Sequence, residues 1–449
     1  MLLLGAYLAV ILGLGIHGAI RVHSPADFWI AGGRAPAVST GGSLVATIVG
    51  GSSTLGLAGL AFRRGLTGSW WLLVGTVGLA GLLFFLRRLK SRFLYTLPEL
   101  IRDWYGPVMA KVAGLLVVVA WLGIVGAQAA AAGRILSTFF GGESAYWTLA
   151  AGAVFIAYTA SGGQVSVIRT DLLQVLLIIG GIGLCTVVGL KASGGFTALS
   201  AALPSGHLSF PVSEDFSGID LVLLLLVVGS TYLVGPDILS RVFSSKNELS
   251  ARRAIVISIG VIIPVAVLVT VSGMVARVLF PDILPEAALP TLAKQALPSW
   301  LGALTMIALL SAFLSSADTT LLTMSAILTV DVFEKKASKD LRGPRLSVLL
   351  CGAAALSVGV FSGGIIPSLL LGYSVFAGGL FVPILAGLLG MPLRRTSALA
   401  AAVIGGLCAL AGKLLGRDLL VACSFAIGIA VFTVDRILAV RGLSTKQKP

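Results

Sequence analysis

Long apolar stretches alternate with short polar connections along the whole of this chain, and that alternation leaves few folds open to it. Thirteen stretches read as spans: 2–20, 36–62, 67–86, 106–138, 144–160, 164–190, 219–240, 252–279, 300–332, 344–362, 365–389, 396–414 and 418–440. Each has the roughly 17 or more residues that a helical crossing of the hydrocarbon layer requires. Lipid offers no partner to a backbone N–H or C=O, so such stretches fold as helices that satisfy their own backbone. Only 11% of the 449 residues are charged, against about 25% in a soluble domain. The connections are too short to hold a soluble domain of useful size. These features predict an all-α polytopic membrane protein of about 13 transmembrane helices. The first span lacks a basic leader and a small-residue cleavage site, so it reads as a helix and not a signal peptide.

Charge sets the expected orientation. The chain carries 32 Lys and Arg against 18 Asp and Glu, a formal net charge of +14. With the N-terminus outside, the basic segments 87–92, 241–253 and 334–345, Arg394-Arg395 and the tail RGLSTKQKP all fall on the inner side. Positive charge favours cytoplasmic loops, so the chain reads as N-out and C-in across the cell inner (plasma) membrane. Arg63-Arg64 falls on the outer side and breaks the pattern. The charge is dispersed over several loops, which argues against nucleic acid as a partner. Cys185, Cys351, Cys408 and Cys423 all lie in apolar spans, and His17, His23 and His207 are scattered. No metal-ligand spacing, nucleophile–base constellation or phosphate loop appears, which excludes the common enzyme classes.

Several spans carry polar groups that lipid cannot satisfy. The ninth holds ALLSAFLSSADTTLLTMSAILTVD at 308–331. Ala312, Ser315, Ser316, Thr319 and Thr323 follow steps of three and four, so they share one helix face. That face looks into protein or a cavity, where hydroxyls either glue helices together or present oxygen to a hard cation such as sodium. Asp318 lies in the same stretch, and an ionisable group at membrane depth is a candidate functional residue. In the second span, Gly50, Gly51, Ser52, Ser53 and Thr54 are poor helix formers near its middle. Unwinding there would turn backbone carbonyls toward a cavity. The seventh span carries Gly229-Ser230-Thr231-Tyr232 and then Gly235-Pro236-Asp237, a second Gly/Pro-interrupted segment. Gln128 and Arg134 lie in the fourth span, Arg134 near its outer end as either an interfacial anchor or a solute contact. Arg169, Asp171 and Gln174 lie in the sixth, where Asp171 either pairs with Arg169 or faces the hydroxyl ladder.

Interrupted helices in corresponding places of two halves point to a transporter site. Spans two to six and seven to eleven are five each, so the halves are inverted and each opens on its interrupted helix. The expected organisation is an extra N-terminal helix and loop over 1–35, a first repeat over 36–191, a second over 219–389, and two C-terminal helices with a tail over 394–449.

The ordered motifs resemble the sodium/solute symporter family, which includes proline, pantothenate, sialic acid and sodium/glucose cotransporters. They are Ala31-Gly32-Gly33-Arg34, Gly50-Gly51-Ser52-Ser53-Thr54-x-Gly56, Tyr95-Thr96-Leu97-Pro98-Glu99, Gly162-Gly163 through Asp171 and Gln174, Gly235-Pro236 with Arg241, and Ser315-Ser316-Ala317-Asp318. The resemblance runs from about 28 to 390 and implies a LeuT-like core with an inverted five-helix repeat. It implies a sodium ion held by carbonyls of Ala46, Val49 and Ala312 and hydroxyls of Ser315 and Ser316. Some members of the family bind a second sodium at positions matching Asp171, Ser315, Asp318 and Thr319, and Asp at 318 where those members carry Ser leaves that second site open in this chain. The solute region maps to Gly50–Thr54 and Val228–Tyr232, with Ser230, Thr231 and Tyr232 on the seventh span, alongside Gln128 and Arg134. The aromatic and amide array of sugar carriers is missing there, which favours a small polar solute. The resemblance thus implies sodium-coupled symport of a small polar organic solute into the cell by alternating access. A solute sensor without transport and a sodium leak are the other functions such a core can carry, and the tail reads as bearing no signalling domain.

Overall fold

The computed structural model describes residues 2–91, 94–334, 341–361 and 365–440. Parts of the basic segments 87–92 and 334–345, and the tail after 440, lie outside the described residues. The rest is almost wholly helical. α1 (Leu2–Ala19) leads into a short α2 (Pro25–Ile30), and the second span is two helices, α3 (Ala37–Ile48) and α4 (Gly51–Arg64). There follow α5 (Trp70–Leu82), α6 (Leu86–Lys90), α7 (Leu97–Tyr105), α8 (Pro107–Phe140), α9 (Ser144–Ala192) and α10 (Gly195–Ala202). The seventh span is α11 (Gly218–Leu224), a π-helical turn, α12 (Ser230–Val234) and α13 (Pro236–Ser244). The chain continues through α14 (Glu248–Leu279), α15 (Ala288–Gln295), α16 (Ser299–Ile327), α17 (Arg342–Phe361), α18 (Ile365–Leu388), α19 (Arg395–Leu414) and α20 (Asp418–Val440).

Ten helical segments among the described residues are long and apolar enough to cross a membrane, against the thirteen spans read from sequence. The differences have local causes. The first span, Leu3–Ala19, is a shorter apolar helix at the lower limit of a crossing length. One segment, Ser144–Ala192, covers the fifth and sixth spans, because the chain passes from one to the other through a kink instead of a loop. The kink is at Gly163, with φ 55° and ψ −164°, a conformation that glycine adopts at little cost. A Cβ there would lie 2.8 Å from the Phe28 carbonyl oxygen. The second and third spans also merge, into Ser53–Leu82, because a single 3₁₀ turn joins them.

Two interruptions shape the interior. α3 ends at Ile48, Val49 and Gly50 are non-helical, and α4 starts at Gly51. The expected unwinding of Gly50–Thr54 is therefore corrected to two residues, Val49 and Gly50. Gly51 to Thr54 form the first turn of α4, closed by the Thr54 N–H to the Gly50 carbonyl at 2.9 Å. The second interruption is the extended Gly235, followed by Pro236 at the first position of α13. Proline pushes the preceding residue out of the helical region and suits the start of a new helix.

α16 is the centre of the packing. Every residue from Thr305 to Ile327 is buried, against α9, α8, α3, α4 and α17. The two ends of the bundle are tied differently. At one end the Lys90 ammonium donates to the Ser245 carbonyl at 2.7 Å, and the Ala35 N–H donates to the Ser244 carbonyl at 2.9 Å. Thr96 there donates to Asp331 at 2.7 Å. Thr96 and Glu99 form a capping box at the start of α7, which gives the Tyr95–Glu99 motif a structural purpose. At the other end the Trp70 indole donates to the Pro211 carbonyl at 2.9 Å. Arg64, which broke the charge pattern, lies 4.2 Å over the Phe216 ring at this end.

Candidate functional site

The break after α3 faces the hydroxyl ladder of α16. Carbonyls in the last turn of a helix lack the N–H four residues on, so they look outside the helix for donors. Ser315 donates to the Ala46 carbonyl at 2.9 Å and lies 3.1 Å from that of Ala312. Ser316 donates to the Thr47 carbonyl at 2.7 Å and lies 3.2 Å from that of Ala46. All of these groups are buried, with Ser315 and Ala312 fully shut off from solvent. The structure thus brings together Ala46, Ala312, Ser315 and Ser316, and adds Thr47, which the sequence had not singled out. Val49 sits at the break itself, and among the described residues no hydrogen bond joins its carbonyl to this group. Gly50 packs so closely here that a Cβ would lie 2.2 Å from the Ser316 hydroxyl. The oxygens are neutral, several and convergent, the donor chemistry that suits a hard monovalent cation.

One helical turn further along α16 lies a second polar group. Asp171 does not pair with Arg169. It accepts from Ser43 and lies 3.4 Å from Arg241, both Asp171 and Arg241 being fully buried. Arg241 also donates to the Thr319 hydroxyl. Thr319 in turn donates to the Ser315 carbonyl at 2.9 Å, which links the two groups. Asp318 is fully buried, and neither of its carboxylate oxygens meets a donor among the described residues. Arg241 had read as part of a basic loop. Its place on α13, a helix buried over most of its length, was signalled by its motif with Gly235-Pro236 and by the apolar residues flanking it on both sides.

Ser316 also lines a small cavity between the two interruptions, with a volume of about 10 Å³. Ser53, Gln128, Thr231 and Tyr232 line it, four of the residues assigned to the solute from sequence. Thr47, Asp237, Thr320 and Tyr373 line it too and had been missed. The other sequence assignments fall elsewhere. Gly51 packs on Phe313, Thr54 donates to the Gly51 carbonyl, and Ser230 donates to the Val227 carbonyl. The Ser52 side chain lies outside the described residues. Arg134 is corrected as a cavity residue: it forms an ion pair with Glu286 and lines a separate cavity of about 400 Å³ at the Arg64 end.

Two interrupted helices meeting a buried ladder of oxygens beside a small polar cavity define a class, the alternating-access secondary transporters of membranes. The model of the sodium:solute symporter family matches residues 28–343, and the chain belongs to that family. It is a sodium-coupled secondary transporter, not an enzyme, and its partners are sodium and a small organic solute within the membrane. The chain is 24% identical to a sodium/sialic acid symporter of Aliivibrio fischeri, over 76% of this chain and 71% of that one. It is 24% identical to a sodium/glucose cotransporter of Vibrio parahaemolyticus, over 74% and 68%. Among solved structures, a substrate-bound outward-open sodium-coupled sialic acid symporter superposes with a TM-score of 0.85 at 17% identity, covering 99% of this chain and 98% of that one. A nucleobase-cation-symport transporter in a closed conformation superposes with a TM-score of 0.63 at 13% identity, covering 94% and 95%. These likenesses bear out the all-α, LeuT-like core expected from sequence. They favour neither the sensor nor the leak.

Proposed function

We propose that the chain couples inward sodium movement to uptake of a small polar solute, with the ion on Ala46, Val49, Ala312, Ser315 and Ser316 and the solute in the adjoining cavity. The carrying observation is that Ser316 belongs to both: its hydroxyl meets the freed carbonyls of α3, and it lines the cavity. An ion there fixes Ser316 and the α3 break together, which shapes the wall that the solute meets. Coupling follows from that shared wall, since each ligand raises the affinity for the other by the same factor. The second polar group we assign differently. Arg241 already supplies a positive charge to Asp171 and holds Thr319, so this reading places one sodium per cycle at the main site and none at Asp171, Asp318 and Thr319.

The inverted repeat fits the two interruptions, with 36–191 and 219–389 as the halves, 1–35 as an added helix and loop, and 394–449 as a C-terminal pair. Thirteen crossings place the Lys90–Ser245 end in the cytoplasm, the N-terminus outside and the C-terminus inside. The support is the basic character of that end.

Ser316 tests the ion assignment. Ser316→Ala removes one oxygen ligand, so the sodium concentration for half-maximal thermal stabilisation of the purified protein should rise about tenfold, a loss of about 1.4 kcal/mol. Ser316→Thr keeps the oxygen and should be milder. A packing role reverses that order, with Thr disruptive and Ala near neutral. Unchanged sodium dependence in both Ser315→Ala and Ser316→Ala, in well-folded protein, would sink the assignment.

A further inference from the structure

We infer that Asp237 holds a cationic nitrogen of the transported solute, which makes the solute class small organic ammonium compounds. The inference rests on the reading of the central cavity as the solute site. Asp237 stands in the first turn of α13, directly after the break at Gly235-Pro236. Among the described residues it is the one charged side chain lining the cavity, whose other polar walls are neutral hydroxyls, an amide and two phenols. Its Oδ1 atom is shielded from solvent and, among the described residues, receives no hydrogen bond. Among the described residues it makes no ion pair. Arg241, one turn along the same helix, is turned instead to Asp171 and Thr319. The N–H groups of a first helical turn favour an ionised carboxylate at this position. A shielded carboxylate oxygen without a donor is costly, and the cost is recovered when a cation or donor arrives.

The remaining wall fits the same guest. Tyr232 and Tyr373 both line the cavity, and aromatic faces attract ammonium groups. Gln128, Ser53 and Ser316 supply neutral hydrogen-bonding groups for a hydroxyl or carboxyl on the rest of a short solute. Among the described residues no lysine or arginine lines the cavity to meet a purely anionic solute, since Arg134 is engaged with Glu286 in a different cavity. The Asp237 charge also offsets the repulsion between a solute cation and a sodium ion near Ser316, two positive charges that otherwise disfavour each other's binding.

The test uses purified full-length protein and matched probes. Ethanolamine, choline, glycine betaine and putrescine are the ammonium set. Ethylene glycol, 3,3-dimethylbutan-1-ol and glycolate are the neutral and anionic counterparts. Thermal stabilisation is titrated with each in saturating sodium, and sodium alone is titrated separately. At least one ammonium probe should stabilise the wild type while its counterpart does not. Asp237→Asn should raise the apparent Kd for that probe by about tenfold or more, the loss expected for a charge-assisted contact. Asp237→Glu, which keeps the charge, should retain part of the response and guards against misfolding as the cause. Equal stabilisation by a counterpart, an unchanged response in Asp237→Asn, or no response to any ammonium probe overturns the inference. Loss of a sodium-binding step in Asp237→Asn with the ammonium response intact overturns it too, by making Asp237 an ion ligand. The sodium titration alone decides the transport-site reading: a normal sodium response that Ser316→Ala weakens leaves that reading standing even when every amine fails.

Discussion

Asp171 shows how one partner changes the meaning of a residue. Its carboxylate meets Arg241, 70 positions away in sequence, and both side chains are fully buried. Removing one member of such a pair leaves the other charge buried and unmatched, at a cost of about 3–5 kcal/mol, whereas neutralising both is far milder. Asp171→Asn and Arg241→Gln should therefore each lower the unfolding temperature of the purified protein sharply, and the double variant should recover most of the loss. Arg169→Gln should be nearly silent. Full recovery of Asp171→Asn by a change at Arg169 would return the pair to the interface. The sequence made Asp171 conspicuous, because an acid in an apolar span stands out. The partner of Arg241 was hidden, because an arginine at the end of a span looks the same whether it points to solvent or folds back on a broken helix. Asp237 was named only as part of the Gly235-Pro236-Asp237 interruption, because a break in a span draws attention to backbone and not to the carboxylate beside it. Arg134 was misplaced in the opposite sense. Its position within the fourth span was right, and its Glu286 partner lies in a connection whose return path over the bundle no periodicity reveals.

At the scale of elements, the interrupted helices were legible and their exact breaks were not. Glycine, serine and threonine runs mark where a helix is weak. The break itself falls where another element takes up the freed backbone groups, here Val49 and Gly50 opposite Ser316. The fifth and sixth spans posed the converse problem. Their separation was correct as a change of direction, but the chain turns on Gly163 without a loop. That glycine has φ 55°, and a Cβ there would press into the Phe28 backbone. Gly163→Ala should therefore displace α2 against α9 and destabilise the protein by about 1–3 kcal/mol, the usual cost of a strained backbone site. Gly180→Ala in the same helix, with nothing within 4 Å of its Cβ position, should be neutral or slightly stabilising. Thermal unfolding of the two variants side by side checks this. Equal stability would show that the kink does not depend on glycine.

At the scale of the whole molecule, the central cavity of about 10 Å³ has room for about one water and none for a solute. On the side read as external, the Arg134–Glu286 pair ties α8, which also carries the cavity residue Gln128, to the connection before α15. Glu286 is bonded on two sides. It takes the Arg134 guanidinium from α8, and it accepts the Ile365 N–H at the start of α18 at 3.3 Å. Alternating access requires these elements to part when the cavity opens outward, so the pair favours the closed arrangement. Both side chains keep some contact with solvent, Arg134 being 33% and Glu286 16% exposed, so the contribution is that of a partly exposed pair. Such pairs contribute up to about 1 kcal/mol, enough to change the ratio of two conformations about fivefold. Arg134→Ala should therefore raise the outward-open fraction, increasing apparent sodium affinity while slowing the return step and net uptake. A cysteine at Ser53, in a protein whose four native cysteines are replaced, reports the opening directly. An impermeant thiol reagent outside intact cells should label it about fivefold faster in Arg134→Ala than in the parent, with Glu286→Gln behaving alike. Exchanging the two charges should bring labelling back toward the parent rate. The same cells check orientation, because a cysteine at Ser205 should react from outside at once and one at Lys246 should not. Faster labelling of Ser53→Cys from the cytoplasmic face alone would place the pair at the inner end. Unchanged labelling would leave Arg134 as an anchor at the membrane surface, with the closing of the external path assigned to the packing of α15 and α4.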